Sequence, residues 1–367
     1  MANNQAKSID ALSKAFTLPV HFLNVARRFI MFGTDYHECE RVLSRIASME
    51  EWTQRWTESA SRFEEKGYRA LELNQTATAR TMFQQAYLSY RLAGFPVLQD
   101  TEQRRELYAR HKETFRQMAL LDTLKTNFVQ VPYEGHELPG YIVLPGGQGP
   151  WPVLIYLTGA DGWKEDQYFI AARRVAERGM ACVVLDGPGQ GEGIGIHHLY
   201  ARYDYEVVVV AILDFLRTLE YLDTARVGIM GSSASGYYAP RVAAFEKRIK
   251  ACVILSALYD VVEGVFDVYP PIRTRLAEII GTDSLDEARR RFAAFTLKGI
   301  AGRIECPCLI VHGECDQIIP VSEARRLYEA LNCPKELKIW EGANHNCDNF
   351  DIESKAFMFD WLRERLV

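Results

Sequence analysis

Residues 231–240 read GSSASGYYAP, between the apolar run RVGIM and the helical run RVAAFEKR. The signature of a serine nucleophile on a strand-to-helix turn is G-x-S-x-G. Gly231, Ser232, Ser233 and Ala234 fit it, Ser235 stands where the last glycine is expected, and Gly236 follows one residue late. Such a turn exposes the serine at the carboxyl edge of a sheet and aims the first N–H groups of the next helix at the same place. The competing reading is an ordinary turn of small residues.

The downstream chain separates the two. LIVHGECDQIIP (309–320) is an apolar strand ending at Gly313 with Asp316 just beyond, and IWEGANHNCDNF (339–350) is a strand running into a loop with His345. Ser233, Asp316, His345 is the nucleophile–acid–base order of α/β-hydrolases. Each residue falls just past a strand's carboxyl end, the edge where an open α/β sheet binds its ligand. His345 would take the serine proton, and Asp316 would hold the imidazole tautomer. Asp260, which ends VILSALYD, is the rival acid and is otherwise a cap or turn residue. His312 lies within a strand and reads as core. The adjacent His197 and His198 read as a loop or pocket edge rather than a metal site. Backbone donors for an oxyanion are expected from Ala234 and from Gly159 and Ala160, in the loop after PVLIYLTG. Asp161 reads as an Asx-turn residue or as a positioner of that loop.

Composition sets the frame. The chain has 367 residues, 48% hydrophobic and 25% charged, an ordinary globular make-up. A net charge of −5 and a pI of about 6.0 favour neither nucleic acid nor an anionic membrane as partner. Eight cysteines are scattered without a C-x-x-C pair. Cys306 and Cys308 flank a proline, but zinc needs two further ligands that the sequence does not place, so no metal is expected. A reducing, cytoplasmic setting is expected from this cysteine usage and from the polar start MANNQAKSID. The longest aliphatic run, VVVVAIL at 207–213, is too short to span a bilayer.

Two regimes share the chain. Over residues 1–125 the pattern is helical: Val42, Ile46, Met49, Trp52, Trp56, Ala60 and Phe63 recur at spacings of three and four. Ala79, Met82, Phe83, Ala86, Tyr90 and Ala93 form a second stripe, and Leu107, His111, Met118 and Leu121 a third. Over 126–367 short apolar runs alternate with helical ones, including helices at 204–222 and 353–366. That alternation argues for a mostly parallel sheet flanked by helices. Residues 261–303, with DEARRRFAAF, interrupt it as a helical insertion over one end of the sheet. The expected fold is an α/β-hydrolase domain preceded by an all-helical cap.

More narrowly, LDGPGQGEG (185–193), GADGWKEDQYF (159–169) and GYYAPRVAA (236–244) resemble the group containing 2,6-dihydroxypseudooxynicotine hydrolase and fungal polyketide chain-shortening hydrolases. The likeness covers most of the chain, including the helical region. It departs at Ser235, where the group's elbow reads G-x-S-x-G-G-Y. The resemblance implies a cofactor-free hydrolase of a small molecule, cleaving a C–C bond beside a ketone in an aromatic or polyketide-like substrate. It assigns the triad to Ser233, Asp316 and His345, and by spacing alone it carries a further acidic residue to Glu263, which otherwise reads as a solvated carboxylate. Trp163, Tyr237, Tyr238, Phe266 and Tyr269 are candidate aromatic walls, with His21, Phe22 and Tyr36 from the cap; the cap could also form a homodimer interface. Ester, thioester or amide hydrolysis, acyl transfer and cyclisation use the same triad. A non-catalytic binding protein is the reading from a different class.

Overall fold

The computed structural model describes residues 28–48, 50–96 and 101–367; Met49, His21 and Phe22 lie outside them. The chain divides into two compact units, Met1–Thr123 and Leu124–Val367.

The first unit is helical, with α1 (Tyr36–Leu43), α2 (Glu50–Glu72), α3 (Thr76–Gly94) and α4 (Glu102–Leu120). The three-and-four spacing sets Trp52, Trp56 and Ala60 on one face of α2, fully buried as that helix packs on α3. Burying each such aromatic side chain is worth about 1.5–3 kcal/mol. Trp52 keeps its polar edge satisfied, because Nε1 donates to the Leu92 carbonyl at 2.8 Å. The third stripe seats α4 on α3: Phe115 meets Tyr87 edge-on at 5.4 Å, and His111 Nδ1 lies 2.9 Å from the Tyr87 carbonyl.

The second unit holds eight strands: β1 (Thr126–Tyr133), β2 (His136–Val143), β3 (Trp151–Leu157), β4 (Ala181–Leu185), β5 (Leu222–Ser232), β6 (Ile249–Leu255), β7 (Cys308–Gly313) and β8 (Lys335–Trp340). Their order is β1-β2-β4-β3-β5-β6-β7-β8. The β1–β2 hairpin and the β2–β4 pair are antiparallel, and every pairing from β4 to β8 is parallel. The predominantly apolar runs are β3, β4, β6 and β7, almost entirely buried apart from Lys250 of β6, as strands covered on both faces should be. Edge strand β8 alternates half-buried with exposed residues instead.

The connecting helices are α5 (Arg173–Ala176), α6 (Gly191–Gly195), α7 (Glu206–Leu216), α8 (Ser235–Phe245), α9 (Arg273–Ile279), α10 (Leu285–Phe292), α11 (Val321–Ala330) and α12 (Asp351–Leu366). The insertion read at 261–303 is the α9–α10 segment between β6 and β7. The helix expected over 204–222 is shorter than its apolar spacing suggests. It stops at Leu216, and Leu222 already belongs to β5, where Trp151 of β3 is its partner. Strand pairing takes the apolar residues that periodicity would have extended into the helix.

Candidate active site

The chain leaves β5 at Ser232 and turns at Ser233, whose φ is +57°. A non-glycine residue there is uncommon and costs roughly 1–2 kcal/mol. The turn is held by Ser233 N–H donating to the Leu255 carbonyl at 3.0 Å and Gly236 N–H donating to the Ser233 carbonyl at 2.7 Å. Two glycines permit it. A Cβ at Gly231 would collide with the Ser235 carbonyl, and one at Gly236 would lie 2.5 Å from the Ser256 carbonyl. The close crossing of helix and strand is therefore met by Gly231 and Gly236, which frees position 235 to carry a side chain.

Ser235 uses that freedom. It is completely buried, and its Oγ donates to the carbonyl of Thr158, the residue following β3. Gln190 Nε2 donates to the same carbonyl at 2.6 Å and to Ser235 Oγ at 3.3 Å. Tyr205 Oη donates to Gln190 Oε1 at 3.0 Å, completing the chain of bonds. Thr158 leads directly into Gly159, where a Cβ would stand 3.2 Å from Ser233 Cβ. Ser235 thus ties the serine turn to the base of the neighbouring loop. Arg275 of α9 holds the loop's other side. Its Nη2 and Nε donate to the Ala160 carbonyl at 2.9 and 3.2 Å, and its Nε lies 3.1 Å from Asp161 Oδ1. Asp161 is placed as a positioner of the loop through this ion pair.

Beyond the ends of β7 and β8, Asp316 and His345 close on Ser233. His345 Nε2 is 2.9 Å from Ser233 Oγ, and Nδ1 is 2.8 Å from Asp316 Oδ2. A carboxylate can only accept, so Nδ1 carries the proton and Nε2 is left to accept the serine hydroxyl. Asp316 is fully satisfied: Oδ1 accepts from the N–H groups of Ile318 and Ile319 at 2.9 and 3.0 Å, and Oδ2 also accepts from Ser256 Oγ at 3.0 Å. Burial pushes this carboxyl up, but His345 and the Ile319 N–H outweigh it, and the group stays below its ordinary range. Ser256 additionally accepts from Asn346 N–H at 2.9 Å, anchoring the histidine loop, where Asn346 and Cys347 both have left-handed φ of 57° and 53°.

The rivals take other roles. Asp260 Oδ1 accepts from the N–H groups of Val262 and Glu263 at 3.0 Å, which makes it a turn cap. His312 is buried, with Nε2 2.9 Å from the Ile319 carbonyl, and burial lowers its pKa. His198 lines a second, open pocket with Tyr200, Arg202 and Tyr203.

Ser233 lies on an apolar cavity with Ala160, Ala234, Tyr237, Tyr238 and the insertion residues Val265, Leu276, Phe292 and Phe295 among its walls. Tyr238 stacks on Tyr205 at 4.2 Å, and Tyr237 Oη donates to the Tyr203 carbonyl at 2.9 Å, so both rings are fixed. Trp163, Phe266 and Tyr269 are not among the cavity's lining residues, whereas Phe292 and Phe295, unread in the sequence, are. Glu263 is not brought to the serine either: its side chain is 64% exposed and pairs with Arg326 at 2.9 Å. Sequence reasoning also missed Ser256, Gln190 and Arg275. Only Ser256, directly after β6, carried a signal, since its strand end was already under suspicion through Asp260.

Residues 18–367 match the family model described as esterase FrsA-like. A protein named 2,6-dihydropseudooxynicotine hydrolase from Paenarthrobacter nicotinovorans is 30% identical over 345 residues, covering 93% of this chain and 91% of its own. The hydrolyase poxO of Penicillium oxalicum is 33% identical over 358 aligned residues, covering 82% and 83%. The crystal structure of the 2,6-dihydroxy-pseudo-oxynicotine hydrolase superposes with a TM-score of 0.84 at 29% identity, over 93% of this chain and 95% of that one.

Proposed function

The chain belongs to the FrsA-like esterase family and is a hydrolase of α/β fold, and from that premise we propose that Ser233, His345 and Asp316 are its catalytic triad, acting on a C–C bond beside a ketone in an aromatic or polyketide-like small molecule. The observation that carries the triad is the bond chain at 2.9 and 2.8 Å from Ser233 through His345 to Asp316. Ser233 Oγ attacks the ketone carbon as His345 Nε2 takes its proton. The oxyanion is held by the backbone N–H of Ala234 with that of Gly159 or Ala160. Collapse breaks the C–C bond, and the electron pair leaves on carbon as an enolate or phenol-like carbanion. His345, now imidazolium, returns the proton to that carbon, and Asp316 steadies the charge in between. Water, deprotonated by His345, then hydrolyses the acyl-serine to a carboxylic acid.

Two features support the substrate class. The relative named for 2,6-dihydropseudooxynicotine is matched over nearly its whole length. The cavity walls are apolar with fixed aromatic rings, which suits a ring-bearing ketone. The family description favours one second reading, hydrolysis of a carboxylic ester by the same residues. Paired substrates separate them: an aryl β-diketone and an aryl ester sharing one acyl group. The proposal expects diketone cleavage at a kcat/KM at least about tenfold above the ester, lost in Ser233→Ala. Ester turnover without diketone cleavage would establish the second reading instead. A cytoplasmic location belongs to the same proposal and is supported by eight free thiols; so does a homodimer, which light scattering would weigh against the 41.9 kDa of one chain.

A further inference from the structure

His312, the last residue but one of β7, is fully buried and lies outside the triad. Its side chain closes the loop that carries the acid. The chain leaves β7 after Gly313, passes Asp316 and returns at Ile319, whose carbonyl lies 2.9 Å from His312 Nε2. A carbonyl can only accept, so Nε2 carries the hydrogen and donates it.

Ile319 is thereby held from both sides. Its N–H, with that of Ile318, donates to Asp316 Oδ1 at 3.0 and 2.9 Å, while its carbonyl is taken by His312. The other carboxylate oxygen, Oδ2, faces His345 Nδ1 at 2.8 Å and lies 3.5 Å from His312 Nε2, so the ring is also packed against the acid. Ile318 and Ile319 are in addition walls of the cavity beside Ser233.

We propose that His312 is a positioning residue for the catalytic acid, holding the Ile319 carbonyl so that the Ile318 and Ile319 N–H groups aim Asp316 at His345. The inference rests on the triad reading above. Its motive is the state of the ring's other nitrogen. Nδ1 is buried without a hydrogen-bond partner among the described residues. An apolar side chain would fill the site without burying an unpaired nitrogen, so what histidine adds there is the Nε2 donor. Protonating Nδ1 would place a charge and an unreceived donor in the interior, and burial accordingly holds this ring below the usual histidine range. His312 is therefore a neutral donor of fixed tautomer, unlike His345, which must gain and lose a proton during turnover.

The experiment measures the second-order rate at which an aryl phosphonate labels Ser233, per folded full-length chain, with the folded fraction taken from circular dichroism. His312→Phe keeps a ring without the donor. His312→Asn carries an amide one carbon too short to reach the Ile319 carbonyl. His312→Gln sets its amide nitrogen as many bonds from the backbone as the imidazole Nε2. The phenylalanine and asparagine variants should each label about ten- to a hundredfold more slowly, the scale of a misplaced catalytic group, and glutamine should recover the rate to within about threefold. In an Asp316→Asn background His312→Phe should cost less than about twofold, because no aimed carboxylate remains to be lost. A purely structural role would lower stability without the glutamine rescue and without this dependence on Asp316. Parental rates in both the phenylalanine and asparagine variants, a glutamine variant as slow as phenylalanine, or an equal cost of His312→Phe with and without Asp316 would each overturn the proposal. If His312→Phe folds poorly, the asparagine–glutamine pair, which shares one functional group, decides it. A parental rate in Asp316→Asn alone would instead bring down the triad reading, and this inference with it.

Discussion

Replacing Ser235 by valine should displace the loop beside the nucleophile, whereas alanine should not. Ser235 is enclosed on all sides, and its Oγ shares the Thr158 carbonyl with Gln190 Nε2. Alanine removes two buried hydrogen bonds, the one Ser235 Oγ donates to Thr158 and the long one it accepts from Gln190 Nε2, but leaves that carbonyl paired with Gln190 at 2.6 Å, so no acceptor is orphaned. The loss should be about 1 kcal/mol, or roughly 2–4 °C in Tm for a unit of this size. Valine loses the same two bonds and adds a methyl group in a filled site, which costs about 1–3 kcal/mol more. The expected total is about 2–4 kcal/mol. Strain at position 235 is relayed through Thr158 to Gly159, which faces Ser233. Moving one oxyanion donor out of place costs about 10²–10³ in kcat. Ser235→Val should therefore lose about a hundredfold in kcat, while Ser235→Ala and Ser235→Gly stay within about tenfold of the parent. Calorimetry and steady-state kinetics read both effects on the same samples. A valine variant with parental Tm and kcat would show that position 235 does not tie the serine turn to the loop.

Other substitutions test the neighbouring contacts. Asp316→Asn should cost about 10³–10⁴ in kcat through the wrong histidine tautomer, while Asp260→Asn, which alters only a turn cap, should stay near the parent; equal losses would argue against this assignment. Because the folded Asp316 carboxyl is held below its ordinary value by His345 and the Ile319 N–H against burial, its stabilisation is full above about pH 4 and is lost as pH falls through the folded value. Urea melts between about pH 5 and 3 should accordingly show a steeper acid-side loss for the parent than for Asp316→Asn. Arg275→Ala removes its contacts with the Ala160 carbonyl and Asp161, and kcat should fall by about tenfold with KM little changed; a KM effect alone would make Arg275 a binding residue. Glu263→Gln removes only an exposed ion pair with Arg326, so kcat should remain within about threefold, and a larger loss would return Glu263 to the mechanism.

The layout of the sheet was legible because β3, β4, β6 and β7 are predominantly apolar runs, and a strand covered on both faces leaves that mark in one dimension. That Ser233, Asp316 and His345 would come together was legible for a related reason: each lies within five residues of a strand's carboxyl end, and their order along the chain is itself informative. What escaped was held by contacts without local pattern. Gln190 reaches Thr158 from 32 residues away and Arg275 reaches Ala160 from 115. No spacing rule connects such pairs. Ser235 was visible as an anomaly but not as a bonding residue, because the glycines that meet the helix–strand crossing are its neighbours in sequence and could not be distinguished by composition. Phe292 and Phe295 sit in a charged insertion, where apolar residues read as helix packing. Glu263 was transferred by spacing alone, and the structure puts that position on the surface.

Ser233 as nucleophile requires activation by His345, and this can be tested directly. An aryl phosphonate that captures activated serines, followed by peptide mapping, addresses it without knowledge of the substrate. One adduct per chain is expected, on Ser233, absent in Ser233→Ala and formed at least about a hundredfold more slowly in His345→Ala. Labelling of Ser232 or Ser235 in the parent, or a rate on Ser233 that is indifferent to the loss of His345, would contradict it.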